Sequence, residues 1–173
     1  MNLEMKLAKS MMEHEEGMNH LWIQIIRDGN TTDKPLELQI HLPDGVYRSV
    51  NLNGYAEIEQ KRTVLGPHDT EVLFEIYTEE AIPCGEAIIQ VTLYSDERVI
   101  TQDIALQLVT EEEMDQVQID EQVIERIKTL RTINDTCDSC DKDDMNWPPK
   151  VRVIQSQEPS EWEKRYRVDY GNM

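Results

Sequence analysis

Alternation of apolar and polar residues dominates the first two thirds of the chain. Between residues 3 and 109, apolar residues recur every second position in several short segments, as in strands with one buried face. The clearest alternation lies at residues 36–42, and a second one follows at residues 72–77. Turn signals separate these segments; they include Asp28-Gly29, Pro43-Asp44-Gly45, Gly66-Pro67-His68-Asp69 and Pro83-Cys84-Gly85.

The spacing of these segments predicts a mainly β fold. About seven strands at intervals of roughly 8 to 20 residues are typical of an antiparallel β-sandwich. A parallel sheet would need crossover helices, and no helical period lies between the segments. Shorter segments around residues 47–50 and 55–58 are predicted as additional edge strands.

The order of turns and strands resembles the immunoglobulin-like accessory β-sandwich modules of prokaryotic proteins. The likeness covers residues 3 to 109 and implies a fold without catalytic residues. The cysteine pair that brackets a core tryptophan in immunoglobulin domains is absent around Trp22. The segments that carry the resemblance are Glu15-Glu16-Gly17, Pro35-Leu36-Glu37-Leu38, Leu42-Pro43-Asp44-Gly45-Val46, Leu65-Gly66-Pro67 and Ile82-Pro83.

A helical pattern replaces the alternation at residues 110–133. Thr110 and Glu113 have the spacing of a capping box, and Asp120 offers a second N-cap, which leaves one amphipathic helix or two short ones. An apolar stripe must be buried, and we expect it to pack on its own sandwich; a partner helix or a second copy are the alternatives. The stripe consists of Val117, Ile124, Ile127 and Leu130.

The C-terminal residues are predicted to be a linker and a tail. Residues 134–149 are acidic and poor in apolar residues, as linkers are. Residues 150–173 have the alternation of a β-hairpin, which is marginally stable alone and is expected to dock on the sandwich, dock on a partner, or remain disordered. The predicted partner-binding residues are Trp147, Tyr166, Val168 and Tyr170, together with the four residues of the helical stripe.

Charge and composition narrow the class of partner. The chain has 17 basic and 35 acidic residues, a net charge of −18, which predicts no binding to nucleic acid or to an anionic membrane. Charged residues interrupt the N-terminal segment, which excludes a signal peptide, and three cysteines fit a reducing compartment. We therefore expect a cytoplasmic protein, with a fragment of a secreted protein as the alternative.

The one motif with metal-ligand spacing is Cys137-Asp138-Ser139-Cys140. A structural zinc site needs four ligands, and this motif supplies two. Acidic neighbours disfavour the thiolate that redox chemistry requires. We predict linker cysteines without a cofactor, and a metal site shared between two chains remains open. The aspartates of residues 135–144 lack the glycine of an EF-hand loop.

The sequence has no nucleophile-elbow, zinc-protease or phosphate-loop motif. His41 and His68 are predicted to be surface histidines. The predicted function is a non-catalytic interaction or assembly module, which binds a protein partner or a second copy through edge strands or an apolar patch. A chaperone-like peptide-binding sandwich with a helical cover is the alternative, and a hydrolase with an unrecognised carboxylate site is a third hypothesis.

Overall fold

A computed structural model describes residues 1–29 and 34–137, which belong to one compact unit. A single helix, α1 (Glu121–Cys137), follows the strands, and short 3₁₀ helices lie at Glu59–Lys61 and Glu111–Gln116. The strands of this region are β1 (Asn2–Leu7), β2 (Met11–Glu13), β3 (Met18–Ile26), β4 (Leu36–His41), β5 (Val46–Arg48), β6 (Glu57–Ile58), β7 (Arg62–Leu65), β8 (Glu71–Thr78), β9 (Gly85–Tyr94) and β10 (Val99–Val109).

The strands form two sheets. Sheet 1 has the order β1-β3-β8-β5, and sheet 2 has the order β2-β10-β9-β4-β7-β6. All strand pairs are antiparallel except β2 with β10. The predicted β-sandwich with a C-terminal helix is confirmed. The described residues contain more strands than predicted because β2, β5 and β6 are only two or three residues long.

The main core lies between the two sheets and follows from the alternation in the sequence. One face of every long strand contributes fully buried side chains, while the opposite face carries polar residues. On β8 the inward residues are Val72, Phe74 and Ile76. On sheet 2 the inward residues include Leu38, Leu65, Ile89, Val91, Leu93 and Leu106.

A second, smaller apolar cluster lies on the opposite face of sheet 1, beneath α1. Trp22 and Leu73 are directly opposite each other on β3 and β8, on the face that is otherwise polar. Val123 and Ile127 of α1 pack against Leu73 and Ala8, and their burial removes this face from solvent. The apolar residues on the polar face of the strands are therefore the positions that receive the helix.

The helix begins later than the capping-box spacing predicts. Thr110 and Glu113 do form a capping box, but it caps the 3₁₀ helix Glu111–Gln116. Asp120 is the N-cap of α1 and accepts a hydrogen bond from the backbone N–H of Gln122 at 2.9 Å. Val117 precedes α1, so its prediction as part of the helical stripe is wrong.

The segment before α1 is extended because it pairs with the residues that join β1 to β2. The N–H of Ser10 donates to the carbonyl of Gln118, and the N–H of Asp120 donates to the carbonyl of Ala8, both at 2.9 Å. These backbone bonds compete with helix formation, and they hold residues 117–120 against the sandwich.

The chain changes sheets at Ala8–Ser10, between β1 and β2. Asn19, which is fully buried, holds this crossing by accepting from the N–H of Lys9 at 2.9 Å and donating to its carbonyl at 2.8 Å. Upstream of the crossing the chain pairs with β3 in sheet 1, and downstream of it the chain pairs with β10 in sheet 2. The position of this crossing therefore determines the length of β10 that pairs with β2.

Candidate functional site

Strand β10 is paired along its whole length on one side and along only three residues on the other. Its partner on the first side is β9, from Val99 to Leu108. On the second side β2 pairs with Gln107–Val109 and goes no further. Within the described residues no strand pairs with the remaining segment, Val99–Leu106, on this second side. We call this side of Val99–Leu106 the open edge.

The hairpin geometry identifies the backbone groups on the open edge. The N–H of Ser95 donates to the carbonyl of Arg98 at 2.9 Å, so Ile100 and every second residue after it bond to β9. The N–H and C=O groups of Thr101, Asp103 and Ala105 therefore point away from β9. Val109 lies in the part of β10 that pairs with β2, an even number of residues after Thr101, so its backbone groups also point away from β9. Its carbonyl accepts a hydrogen bond from the N–H of His14 at 2.9 Å.

The side chains of the open edge that point away from the main core are exposed, and the edge is nearly uncharged. Asp103 is the one charged residue of this segment, and its carboxylate accepts a hydrogen bond from Gln90 at 3.1 Å. Val99 is 61% exposed, while Ile100 and Ile104 are partly buried against the main core. Soluble proteins usually protect edge strands with charges, proline or a covering element. An eight-residue edge with one charge is weakly protected.

Acidic residues lie at both ends of β10. Beyond Val109, residues 111–113 are glutamates, and Glu13, Glu15 and Glu16 lie with Glu111 around one shallow cavity. We call this the acidic end. At the other end of the strand, Arg98 is exposed and forms no ion pair within the described residues, but the exposed Asp96 and Glu97 directly precede it.

A titratable pair lies on the α1 side of sheet 1, away from the open edge. His20 Nε2 is 3.6 Å from Glu75 Oε2 and has no hydrogen-bond partner within the described residues. Burial lowers the pKa of His20, Glu75 opposes that change, and Arg131 and Lys9 add to it.

Three of the predicted partner-binding residues lie beneath α1 and not at the open edge. Ile124, Ile127 and Leu130 belong to the cluster between α1 and sheet 1. Cys137 is the last residue of α1, so the helix enters the predicted linker. The remaining candidates lie outside the described residues; these are Cys140, Trp147, Tyr166, Val168 and Tyr170, with the predicted hairpin.

The sequence does not predict two features of the structure. Val123 of α1 is fully buried between the helix and sheet 1, although it was not assigned to the helical stripe. The open edge has no local signal, because its existence depends on which strands lie beside β10. Among the described residues no group of three or more histidine, cysteine or acidic side chains has the arrangement of a metal site. No helix of the described residues has the length and apolarity of a membrane span.

No family model matches the sequence, and no curated protein matches it. Similar solved structures include a conjugative transposon lipoprotein from Bacteroides eggerthii, with 6% identity, a TM-score of 0.41, and coverage of 59% of this chain and 95% of that chain. A FixG-related protein from Vibrio parahaemolyticus has 10% identity, a TM-score of 0.39, and coverage of 63% and 96%.

A lipoprotein from Bacteroides thetaiotaomicron is similar over 65% of this chain and 86% of its own, with 14% identity and a TM-score of 0.33. All three TM-scores are below 0.5, and these likenesses carry no inference about fold or activity. None of the three is named as a member of an immunoglobulin-like family, so that likeness stays a resemblance. The cytoplasmic location stays a prediction.

Proposed function

We propose that this protein is a non-catalytic interaction module that binds an extended segment of a protein by β-strand addition to the open edge of β10. The observation that carries the proposal is the set of backbone groups at Thr101, Asp103 and Ala105, which no strand of the described residues pairs with. An added strand would satisfy these donors and acceptors, with a net gain of about 1 kcal/mol for each hydrogen bond.

The inward side of the open edge adds apolar contact to these hydrogen bonds. The side chains of Ile100 and Ile104 are partly buried and pack against the main core. A strand beside them would cover their exposed parts with its own alternate residues, which is how strand addition obtains side-chain specificity. The affinity would therefore depend on both the backbone and an apolar alternation in the partner.

The arrangement of α1 favours the open edge over a peptide groove under a helical cover. In a chaperone-like sandwich, the client segment would occupy the space between the helix and the sheet. Here Val123 and Ile127 fill that space and contact Leu73 and Ala8 directly. The open edge needs no such displacement.

A short β-forming peptide tests the proposal. The probe is a labelled synthetic peptide, Lys-Thr-Ile-Thr-Val-Thr-Ile-Thr-Lys, and its binding is followed by fluorescence anisotropy. Thr101→Pro removes an N–H on the open edge, while the bonds of β10 to β9 remain. We expect Thr101→Pro to weaken binding by about fivefold, the equivalent of one hydrogen bond of about 1 kcal/mol.

The matched control is Thr101→Val, which keeps the backbone N–H and the β-branched shape. It should bind the probe as the parent chain does. Equal affinity of the parent chain and Thr101→Pro, or no measurable binding of the probe by either, would overturn the proposal.

A further inference from the structure

We propose that the strand added to the open edge is β10 of a second copy of this chain, antiparallel to the first, with a twofold axis at Gln102. This inference rests on the proposed function and names its partner. It follows from the hydrogen-bonding parity of the strand and from the near symmetry of its sequence about Gln102.

The parity of the backbone groups restricts the possible registers. The residues that present N–H and C=O groups to the open edge are Val99, Thr101, Asp103 and Ala105. In an antiparallel pair of two copies, these residues must face one another across the axis. A twofold axis at Gln102 satisfies this condition: Thr101 faces Asp103 of the second copy, and Val99 faces its Ala105.

The side chains favour the axis at Gln102 over its neighbours. Ile100 lies opposite Ile104 of the second copy, and the same contact recurs on the other side of the axis, so two apolar pairs form on the core side. An axis at Asp103 would place two carboxylates opposite each other, which destabilises a sheet. An axis at Thr101 would place Ile100 opposite a glutamine. Of these three registers, the one at Gln102 both pairs the isoleucines and separates the carboxylates.

The two acidic ends are far apart in an antiparallel pair. They lie at opposite ends of the joined sheet, and each comes next to Asp96, Glu97 and Arg98 of the other copy. This separation limits the repulsion between copies that each have a net charge of −18. Pairing also covers both open edges, so the assembly closes at two copies.

Cysteine cross-linking tests the register in the full chain. Cys84→Ser, Cys137→Ser and Cys140→Ser remove the native thiols, and single cysteines are then placed on β10. On the axis, the two residues at position 102 form a non-hydrogen-bonded pair with Cα atoms about 4.5 Å apart, within the range of a disulfide. Residues at position 101 or 103 of the two copies lie about 8 Å or more apart, beyond that range.

We expect Gln102→Cys to form a disulfide-linked dimer under mild oxidation, with twice the 20.2 kDa mass of the chain. Thr101→Cys and Asp103→Cys should remain almost entirely monomeric. In sedimentation of the chain with its native cysteines, Thr101→Pro should lower the dimer fraction and Thr101→Val should leave it unchanged.

Preferential cross-linking of Asp103→Cys or Thr101→Cys would overturn the register. Failure of all three variants to cross-link, with a monomer in sedimentation, would overturn self-pairing. In that case, binding of the peptide probe that is still sensitive to Thr101→Pro would show that the open edge binds a different chain. Loss of the probe binding as well would reject the proposed function.

Discussion

Trp22 donates its indole N–H to a carboxylate oxygen of Glu71 at 2.9 Å, on the face of sheet 1 that α1 covers. The other carboxylate oxygen of Glu71 forms an ion pair with Arg126 of α1. One partly buried carboxylate therefore joins β3, β8 and the helix. Lys6 of β1 adds a second polar link to α1, a hydrogen bond to Gln122 at 2.6 Å.

Glu71→Ala should destabilise the chain by about 2 kcal/mol, because it leaves a buried indole N–H and an arginine without their acceptor. The measurement is urea denaturation followed by Trp fluorescence. The control is Glu125→Ala, which removes an exposed glutamate of α1 paired with Lys128 at 2.9 Å. If Glu71→Ala lowered the free energy of unfolding no more than Glu125→Ala does, Glu71 would not connect β3 and β8 to the helix as described.

Ile127→Ala should lower the free energy of unfolding by about 3 kcal/mol, because the side chain is buried between α1 and Leu73. Ile119→Ala is the matched control, since the Ile119 side chain is 58% exposed just before the helix. Chemical denaturation of both variants compares them. Equal effects would mean that α1 does not pack on sheet 1 as described.

His20 should make stability depend on pH. Its folded pKa lies below the unfolded value of 6.5, because burial disfavours the imidazolium, so its contribution is fully present above pH 6.5 and is lost as pH falls through the folded pKa. His20→Gln should flatten the dependence of unfolding free energy on pH below 6.5. An unchanged slope in that variant, or an NMR titration of His20 above pH 6.5, would contradict the prediction.

Arg48 and Glu57 form a two-pronged ion pair, with both N–O distances at 3.1 Å and Arg48 only 4% exposed. Arg48→Ala should cost about 3 kcal/mol, because it leaves Glu57 without its partner and uncovers the ring of Phe74. Arg62→Ala, which breaks a more exposed pair with Glu37, should cost less than about 1 kcal/mol. Denaturation curves of the two variants test the difference.

Glu57 also predicts a loss of stability in acid. Burial raises its pKa, but hydrogen bonds from Arg48 and Asn51 outweigh burial and hold the pKa below 4.5. The contribution of this carboxylate is therefore present above pH 4.5 and is lost as pH falls through the folded pKa. Glu57→Gln should lose less stability than the parent chain between pH 5 and pH 3. A larger loss of stability in Glu57→Gln than in the parent chain over this pH range would contradict the prediction.

The long strands could be predicted because their burial is local in the sequence. Leu36 and Leu38 alternate with polar residues, while Val72, Phe74 and Ile76 alternate with Leu73, Glu75 and Tyr77, and each alternation matches a strand with one face on the core. The short strand β2 could not be predicted, because three residues carry no period. Its parallel pairing depends on the crossing at Ala8–Ser10, which is a tertiary feature.

The helix shows where a sequence pattern misleads. Val117 and Ile124 are seven residues apart, as on one helical face, but backbone pairing of Gln118 and Asp120 keeps Val117 outside α1. A better signal was available in the strands. Leu73 is an apolar residue on a polar strand face, and such a residue needs a cover, which Val123 provides.

The open edge could not be predicted, since the order of strands in a sheet is not encoded locally. Residues 99–109 read as one strand with two equivalent sides. Only the structure places β9 along one side and limits β2 to three residues on the other.

Residue-resolved hydrogen exchange of β10 tests the central claim most directly. In dilute chain, the amides of Thr101, Asp103 and Ala105 should exchange fast, while those of Ile100 and Ile104, which bond to β9, should be protected. Raising the concentration of the chain, or adding the peptide probe, should protect the first three amides selectively. Protection of those three amides in dilute, monomeric chain, or no gain of protection on association, would contradict a binding site at the open edge.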